Sequence, residues 1–141
     1  MNIEVTSTPQ KEDLKFISEG IKKYNQKYIP DDVVFEEDTK FAVFAKSENG
    51  EIQGGIRATG FWNYCIIELL WLSEDTRGLG VGSELVAAAE QYALEKGFQY
   101  IRTETLSFQA RPFYEKLGFK VYGELPDYPK GHTTYCLVKK L

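Results

Sequence analysis

The chain has little of what most metal and disulfide chemistry requires: a single histidine, His132, and two cysteines, Cys65 and Cys136, among 141 residues. A Cys₂His₂ or Cys₄ zinc site needs more ligands than that, so no metal centre is expected. The cysteines lie 71 residues apart in the sequence and read as buried apolar residues of a reducing compartment rather than as a disulfide. No apolar run approaches the roughly 18 residues that cross a bilayer. Met1-Asn2-Ile3-Glu4 begins an alternating strand rather than a basic-then-apolar signal peptide. Nor is there a basic excess. Lys and Arg number 17 against 21 Asp and Glu, a formal charge of −4, which gives no electrostatic reason to expect nucleic acid or an anionic membrane as partner. The expectation is a soluble cytoplasmic protein.

What is present suits one domain over residues 1–141. Hydrophobic residues make up 43% of the chain and aromatics 14%, spread along its length, which argues against disorder and supplies a core that needs no staples. There is no repeat, low-complexity tract or linker. Ile3-Glu4-Val5 reads as a first strand. Thr8 offers an N-cap and Pro9 a first helical residue, and Leu14, Ile17, Ile21, Tyr24 and Tyr28 form an amphipathic stripe that Pro30 ends. The stretch from Asp31 to Lys40 reads as an acidic loop with a helical fragment around Val33 to Phe35. Strands follow at Phe41–Ala45 and Ile52–Ala58, joined by an Asn49-Gly50 hairpin turn, and a reversal at Phe61-Trp62-Asn63 leads into a long strand at Tyr64–Leu72. The pattern then changes to a glycine-rich turn, a helix from about Leu79 to Lys96 ending at Gly97, and a strand at Tyr100–Thr105. This β-α-β unit favours a parallel pair. A short helix near Ala110–Leu117 and strands near Val121 and Tyr135–Val138 finish the chain. The fold class is therefore α+β: an antiparallel meander, then a β-α-β unit, in a mixed sheet of six to seven strands flanked by helices.

The most informative segment is Arg77-Gly78-Leu79-Gly80-Val81-Gly82-Ser83. Glycines at a strand-to-helix turn let the backbone approach an anion, and the first helical N–H groups point at it without intrahelical partners. Ser83 adds a hydroxyl donor and Arg77 a charge. A phosphate or pyrophosphate site is expected, although a glycine cluster can also serve only the turn. A P-loop is excluded because Gly82 is followed by Ser83-Glu84 rather than Lys-Ser/Thr. Gly78-x-Gly80-x-x-Ser83 imitates a Rossmann fingerprint, with Glu104 placed where a ribose-binding acid belongs. Topology excludes it: a Rossmann turn follows the first strand of its sheet, whereas antiparallel-type strands precede this one.

A third scheme is an acyl-CoA site, and here the chain resembles the GNAT superfamily of N-acetyltransferases. Arg77-x-x-Gly80-x-Gly82 matches that family's Q/R-x-x-G-x-G/A motif between strand and helix. Ala110-x-x-Phe113-Tyr114-Glu115-Lys116-Leu117-Gly118-Phe119 is similar to its A-x-x-F-Y-E-K-L-G-F segment. The order of elements is similar over nearly the whole chain. The resemblance implies acetyl-CoA as co-substrate, its pyrophosphate on the backbone N–H groups of Leu79, Gly80, Val81, Gly82 and Ser83, beside Gly78 and Arg77. It implies the pantetheine arm alongside Leu70, Trp71 and Leu72, as an added strand would lie, with Phe113 against it. Tyr114 corresponds to the tyrosine that protonates the departing thiolate in many relatives. Relatives often carry Asn seven residues before that tyrosine; here the residue is Ser107.

Acetyl transfer to an amine also needs a base. Glu68 stands alone among Ile66, Ile67, Leu69 and Leu70, where burial would raise its pKa toward a useful value. Glu104 is the second candidate, and a water could act with either. The loop from Pro126 to His132, with Asp127 and Tyr128, and the reversal at Trp62, Asn63 and Tyr64 would overhang the acceptor side. The acidic run Glu36-Glu37-Asp38 would suit a cationic acceptor. The reading is an N-acetyltransferase of a small-molecule primary amine, compatible with a homodimer. A non-catalytic acyl-CoA-binding module and an acetyltransferase of protein lysine or N-terminal amines are the alternatives.

Overall fold

A computed structural model describes residues 1–33 and 39–141. The chain divides into two units, residues 1–35 and 36–141, and each is described by itself.

The first unit holds one helix, α1 (Lys11–Asn25). It begins later than Thr8 and Pro9 suggest: Gln10 takes the N-cap position with extended backbone and no side-chain cap, and its carbonyl accepts from Leu14 N at 3.2 Å. Acidic Glu12 and Asp13 open the helix and Lys22 and Lys23 close it, the polarity that the helix dipole favours. The strand expected at residues 3–5 is not formed. A strand exists only through its ladder partner, and the described residues of this unit contain no second strand to supply one. The helical fragment expected at residues 33–35 and the acidic run at 36–38 lie, apart from Val33, outside the described residues.

The second unit is a six-stranded mixed sheet in the order β1-β2-β3-β4-β6-β5. Its strands are β1 (Thr39–Lys46), β2 (Ile52–Phe61), β3 (Tyr64–Leu72), β4 (Tyr100–Leu106), β5 (Lys120–Pro126) and β6 (Thr133–Lys140). The first three form an antiparallel meander. At Asn49-Gly50 only Gly50 takes the left-handed conformation, with φ 81°. A one-turn 3-10 segment (Glu74–Thr76) and helix α2 (Val81–Glu95) cross over to β4, which pairs parallel with β3 as the β-α-β pattern requires. Helix α3 (Arg111–Lys116) and the antiparallel β5–β6 pair complete the unit.

One face of this sheet is covered by α2. Strand β1 alternates strictly, with Phe41, Val43 and Ala45 turned inward and Lys40, Ala42 and Phe44 outward. Ile56, Ala58, Cys65, Ile67 and Ile101 meet Leu85, Val86, Ala89 and Ala93 of α2 in one core. Ala89 and Ala93 are fully buried; their small side chains let the helix axis lie close to the strands. Lys139 of β6 closes the far side by pairing with Glu90 of α2 at 2.8 Å. Cys65 is buried and unpaired, as is the half-buried Cys136, and burial pushes the Cys65 thiol up to about 11. Among the described residues, no helix is long and apolar enough to cross a membrane, and no cluster of His, Cys, Asp and Glu is placed to hold a metal ion.

Candidate active site

Strand β3 changes phase at Glu68. In the ladder to β2, Arg57 stands opposite Leu69 and its neighbour Ala58 opposite Ile67. Glu68 is therefore an extra residue, a β-bulge. Before it, Cys65 and Ile67 face α2; after it, Leu70 and Leu72 do. The bulge leaves Glu68 and Leu69 side by side on the face that α2 does not cover.

The pairing of β3 with β4 ends at the same level. The parallel ladder runs from Tyr64 and Tyr100 to Ile67 and Thr103, while β4 continues on its other side with β6 as far as Leu106 and Thr134. Beyond Ile67 the two strands part, and residues 69–72 of β3 are laddered on the β2 side alone. A strand edge left open in this way can accept an extended, amide-bearing ligand as an added strand. Thr103 braces the point of divergence by donating its hydroxyl to the Ile67 carbonyl at 3.1 Å.

The glycine turn meets the far end of this edge. Gly78 and Gly80 both take left-handed backbone, φ 76° and 83°, which swings the chain from the 3-10 turn into α2. Among the described residues, no backbone N–H of 78–83 makes a well-formed hydrogen bond to a backbone carbonyl, the state that makes a helix start an anion site. Gly82 is buried in the first turn, where a Cβ would lie 3.2 Å from the Phe113 ring and 3.4 Å from the Leu72 side chain. Leu72, Gly82 and Phe113 are thus brought together. Arg77 is held at the same end of the strand, its Nε donating to the Leu72 carbonyl at 3.2 Å.

Tyr114 lies on α3 behind the divergence of β3 and β4, 5% exposed, with its ring edge-on to Phe113 and Phe119 at 5.1 and 5.4 Å. Its hydroxyl pairs with that of Thr103. Burial raises its pKa and the Thr103 contact opposes the rise in part, so the phenol keeps its proton at all ordinary pH. The Thr105 hydroxyl accepts from Ala110 N at 3.2 Å and so fixes the start of α3 to β4.

Glu68 differs from its expected state. It is not a buried acid with a raised pKa: its side chain is 35% exposed. Thr59 donates to Oε1 at 2.9 Å and Arg57 Nε to Oε2 at 2.8 Å. The Thr59 hydrogen bond is the largest effect and lowers the carboxyl's pKa; burial opposes it, and Arg57 and Lys40 add to the lowering, so the carboxyl lies below its ordinary range. The five-residue apolar run around Glu68 suggested burial because a bulge is invisible to simple alternation. Arg57 and Thr59 were missed; they were legible only as polar residues two apart on one face of β2.

A cavity of about 390 Å³ opens beside the bulge, lined by Glu68, Glu104, Gln109, Tyr128, Pro129 and Thr134 among others. Both candidate bases therefore face one space. Tyr128 brings the loop before β6 to it, and that loop is anchored by Ser107. The Ser107 hydroxyl meets His132 Nδ1 at 3.2 Å and accepts from Thr133 N at 3.3 Å, and Phe108 packs edge-on against the His132 ring at 4.7 Å. Trp62, Asn63 and Tyr64 are not brought to this cavity. Asn63 instead accepts from Gln99 and Tyr100 through its carbonyl at 2.9 and 3.1 Å, and Tyr64 stacks on Tyr100.

A splayed strand pair, a helix start preceded by two left-handed glycines and a buried phenol are the features this unit offers, and comparison with known proteins gives the family. The model of the "Acetyltransferase (GNAT) family" matches residues 8–119, and the chain belongs to that family of enzymes. It is 40% identical over 102 residues, 72% of this chain and 75% of the relative, to the blasticidin-S acetyltransferase of Streptomyces morookaense. A crystal structure of an acetyltransferase from Bacillus cereus is 32% identical, with TM-score 0.84 over 98% of both chains. A putative streptothricin acetyltransferase from Bacillus anthracis, solved with acetyl coenzyme A, is 25% identical, with TM-score 0.66 over 82% of this chain and 69% of that one.

Proposed function

We propose that the protein transfers an acetyl group from acetyl-CoA to a primary amine of a small molecule. The observation that carries this reading is the parting of β3 and β4 at Ile67 and Thr103, which leaves the 68–72 edge open between the α2 N-terminus and Tyr114. The residues fit acetyl-CoA: a strand edge for the amide-bearing arm, unpartnered N–H groups for the pyrophosphate, and Phe113 closing against Gly82. The relatives named for blasticidin-S and streptothricin support a small-molecule acceptor.

When bound, the co-substrate supplies an activated acyl group and a thiolate leaving group. The chain's residues supply the rest. Backbone groups of residues 70–72 and 79–83 bind and orient. Tyr114, protonated throughout, donates toward the leaving sulfur at the apex of the cleft. Its raised pKa makes the phenol a weak acid against a thiol of pKa about 8.5, so its part is to stabilise the developing charge as it hands over the proton. Glu68 and Glu104 attract the acceptor's ammonium, and one of them, directly or through water, takes its proton. The test is thiol release from acetyl-CoA with a panel of amines: release that depends on an amine supports the reading, and none with any amine overturns it.

A further inference from the structure

The face of the sheet that α2 does not cover carries two cavities that meet at Glu68, and their linings among the described residues differ in sign. The 390 Å³ space beside the strand divergence holds Glu68 and Glu104 and no basic side chain. Arg102 shares the face of Glu104, two residues along β4, without lining this space. The second space, about 540 Å³, holds Lys40, Arg57 and Thr59 with the shared Glu68. Among the described residues, two cations against one carboxylate leave this lining positive.

The cations are also available. Arg57 commits only Nε to Glu68, and its side chain is 65% exposed. Its two Nη groups therefore present the fork that takes a carboxylate through paired hydrogen bonds. Lys40, on the outward side of β1, lies near enough to Glu68 to help lower its pKa, and makes no direct salt bridge among the described residues. Glu68 sets the hinge between the spaces, because its two oxygens are held by Thr59 and Arg57 from the second space while its carboxylate also lines the first.

We propose that the acceptor is zwitterionic: its amine enters the Glu68–Glu104 cavity beside the cleft, and a carboxylate on the same molecule sits at Lys40 and Arg57. The inference rests on the amine-acetyltransferase reading above and adds a second recognition point to it. An amine alone would satisfy the acidic cavity. The positive one, on the same face and sharing a wall, selects what the rest of the acceptor carries.

The experiment compares ω-amino acids of increasing length, from 4-aminobutanoate to 8-aminooctanoate, each with the amide of the same chain, as acceptors for wild type, Lys40→Met and Arg57→Met. At one or more lengths the wild-type kcat/KM for the carboxylate exceeds that for the amide at least about tenfold, the size of one charge-assisted hydrogen bond. Lys40→Met removes most of that preference by raising KM for the carboxylate while leaving kcat/KM for the amide within about twofold. Thermal melts check that the variants fold, and Lys40→Arg restores the preference. Equal use of carboxylate and amide at every length overturns the inference while leaving the amine reading intact. So does a preference that survives in both Met variants. Absence of thiol release with every amine overturns both.

Discussion

Arg57 donates its Nε to Glu68 Oε2 at 2.8 Å across the bulge that turns Glu68 out of the covered face of the sheet. With Thr59 on the other oxygen, the pair holds the carboxyl below its ordinary value of 4.5. A folded pKa below the unfolded one means that the interaction is fully present above the unfolded value and is lost as pH falls through the folded one. Titration of the Glu68 carboxyl carbon by NMR is expected to show a midpoint below 4.5. Thr59→Val, which removes the strongest of the lowering contacts, moves that midpoint upward. No break near neutral pH in kcat/KM should then arise from Glu68. A midpoint at or above the ordinary value would contradict the geometry.

The ring of Tyr114 belongs to the core, its hydroxyl meets Thr103, and the proposed mechanism uses that hydroxyl as the acid. Tyr114→Phe is expected to lower kcat about 10²-fold, within the range for a positioned proton donor, while the dissociation constant for acetyl-CoA stays within about twofold. Loss of the Thr103 partner costs about 1 kcal/mol of stability, and Thr103 keeps its bond to Ile67. Equal turnover in both proteins removes the acid role.

Gly82 has no room for a branched side chain, since even a Cβ meets Phe113 at 3.2 Å and Leu72 at 3.4 Å. Gly82→Val pushes these two apart and disturbs the helix start. It is expected to weaken acetyl-CoA binding at least about tenfold and to cost roughly 1–3 kcal/mol of stability, the usual range for overpacking. Calorimetric titration and a chemical melt read the two effects separately.

Ser107 ties the end of β4 to the loop that carries Tyr128 into the acidic cavity. Ser107→Ala and His132→Ala are each expected to raise KM for the amine a few-fold and leave KM for acetyl-CoA unchanged. Because the two side chains touch, the double variant should fall short of the sum of the single effects. Strict additivity would separate the serine from the loop.

Much of this arrangement was readable in the chain. The turn from Arg77 to Ser83 and the helix within Ala110 to Phe119 were legible, because glycine requirements and helix stripes are local properties, and the fold brings Gly82 of the first against Phe113 of the second. The β3 limits, Tyr64–Leu72, match the expected strand because its ends are a tight reversal and a polar turn. The state of Glu68 was not readable. Its exposure depends on a one-residue slip against β2, and its pKa on Thr59 and Arg57, which are nine and eleven residues away in sequence. The strand expected at Ile3–Val5 failed for a similar reason: its existence rests on a partner that the local pattern does not reveal.

Amine-dependent release of CoA thiol by the wild-type protein, followed continuously with acetyl-CoA at saturation, tests the central claim most directly. The expected result is release that rises with amine concentration to a plateau, matched one to one by acetylated amine in the mass spectrum, and cut about 10²-fold in Tyr114→Phe. Tight acetyl-CoA binding with no release above the amine-free rate, for any amine in the panel, would contradict it.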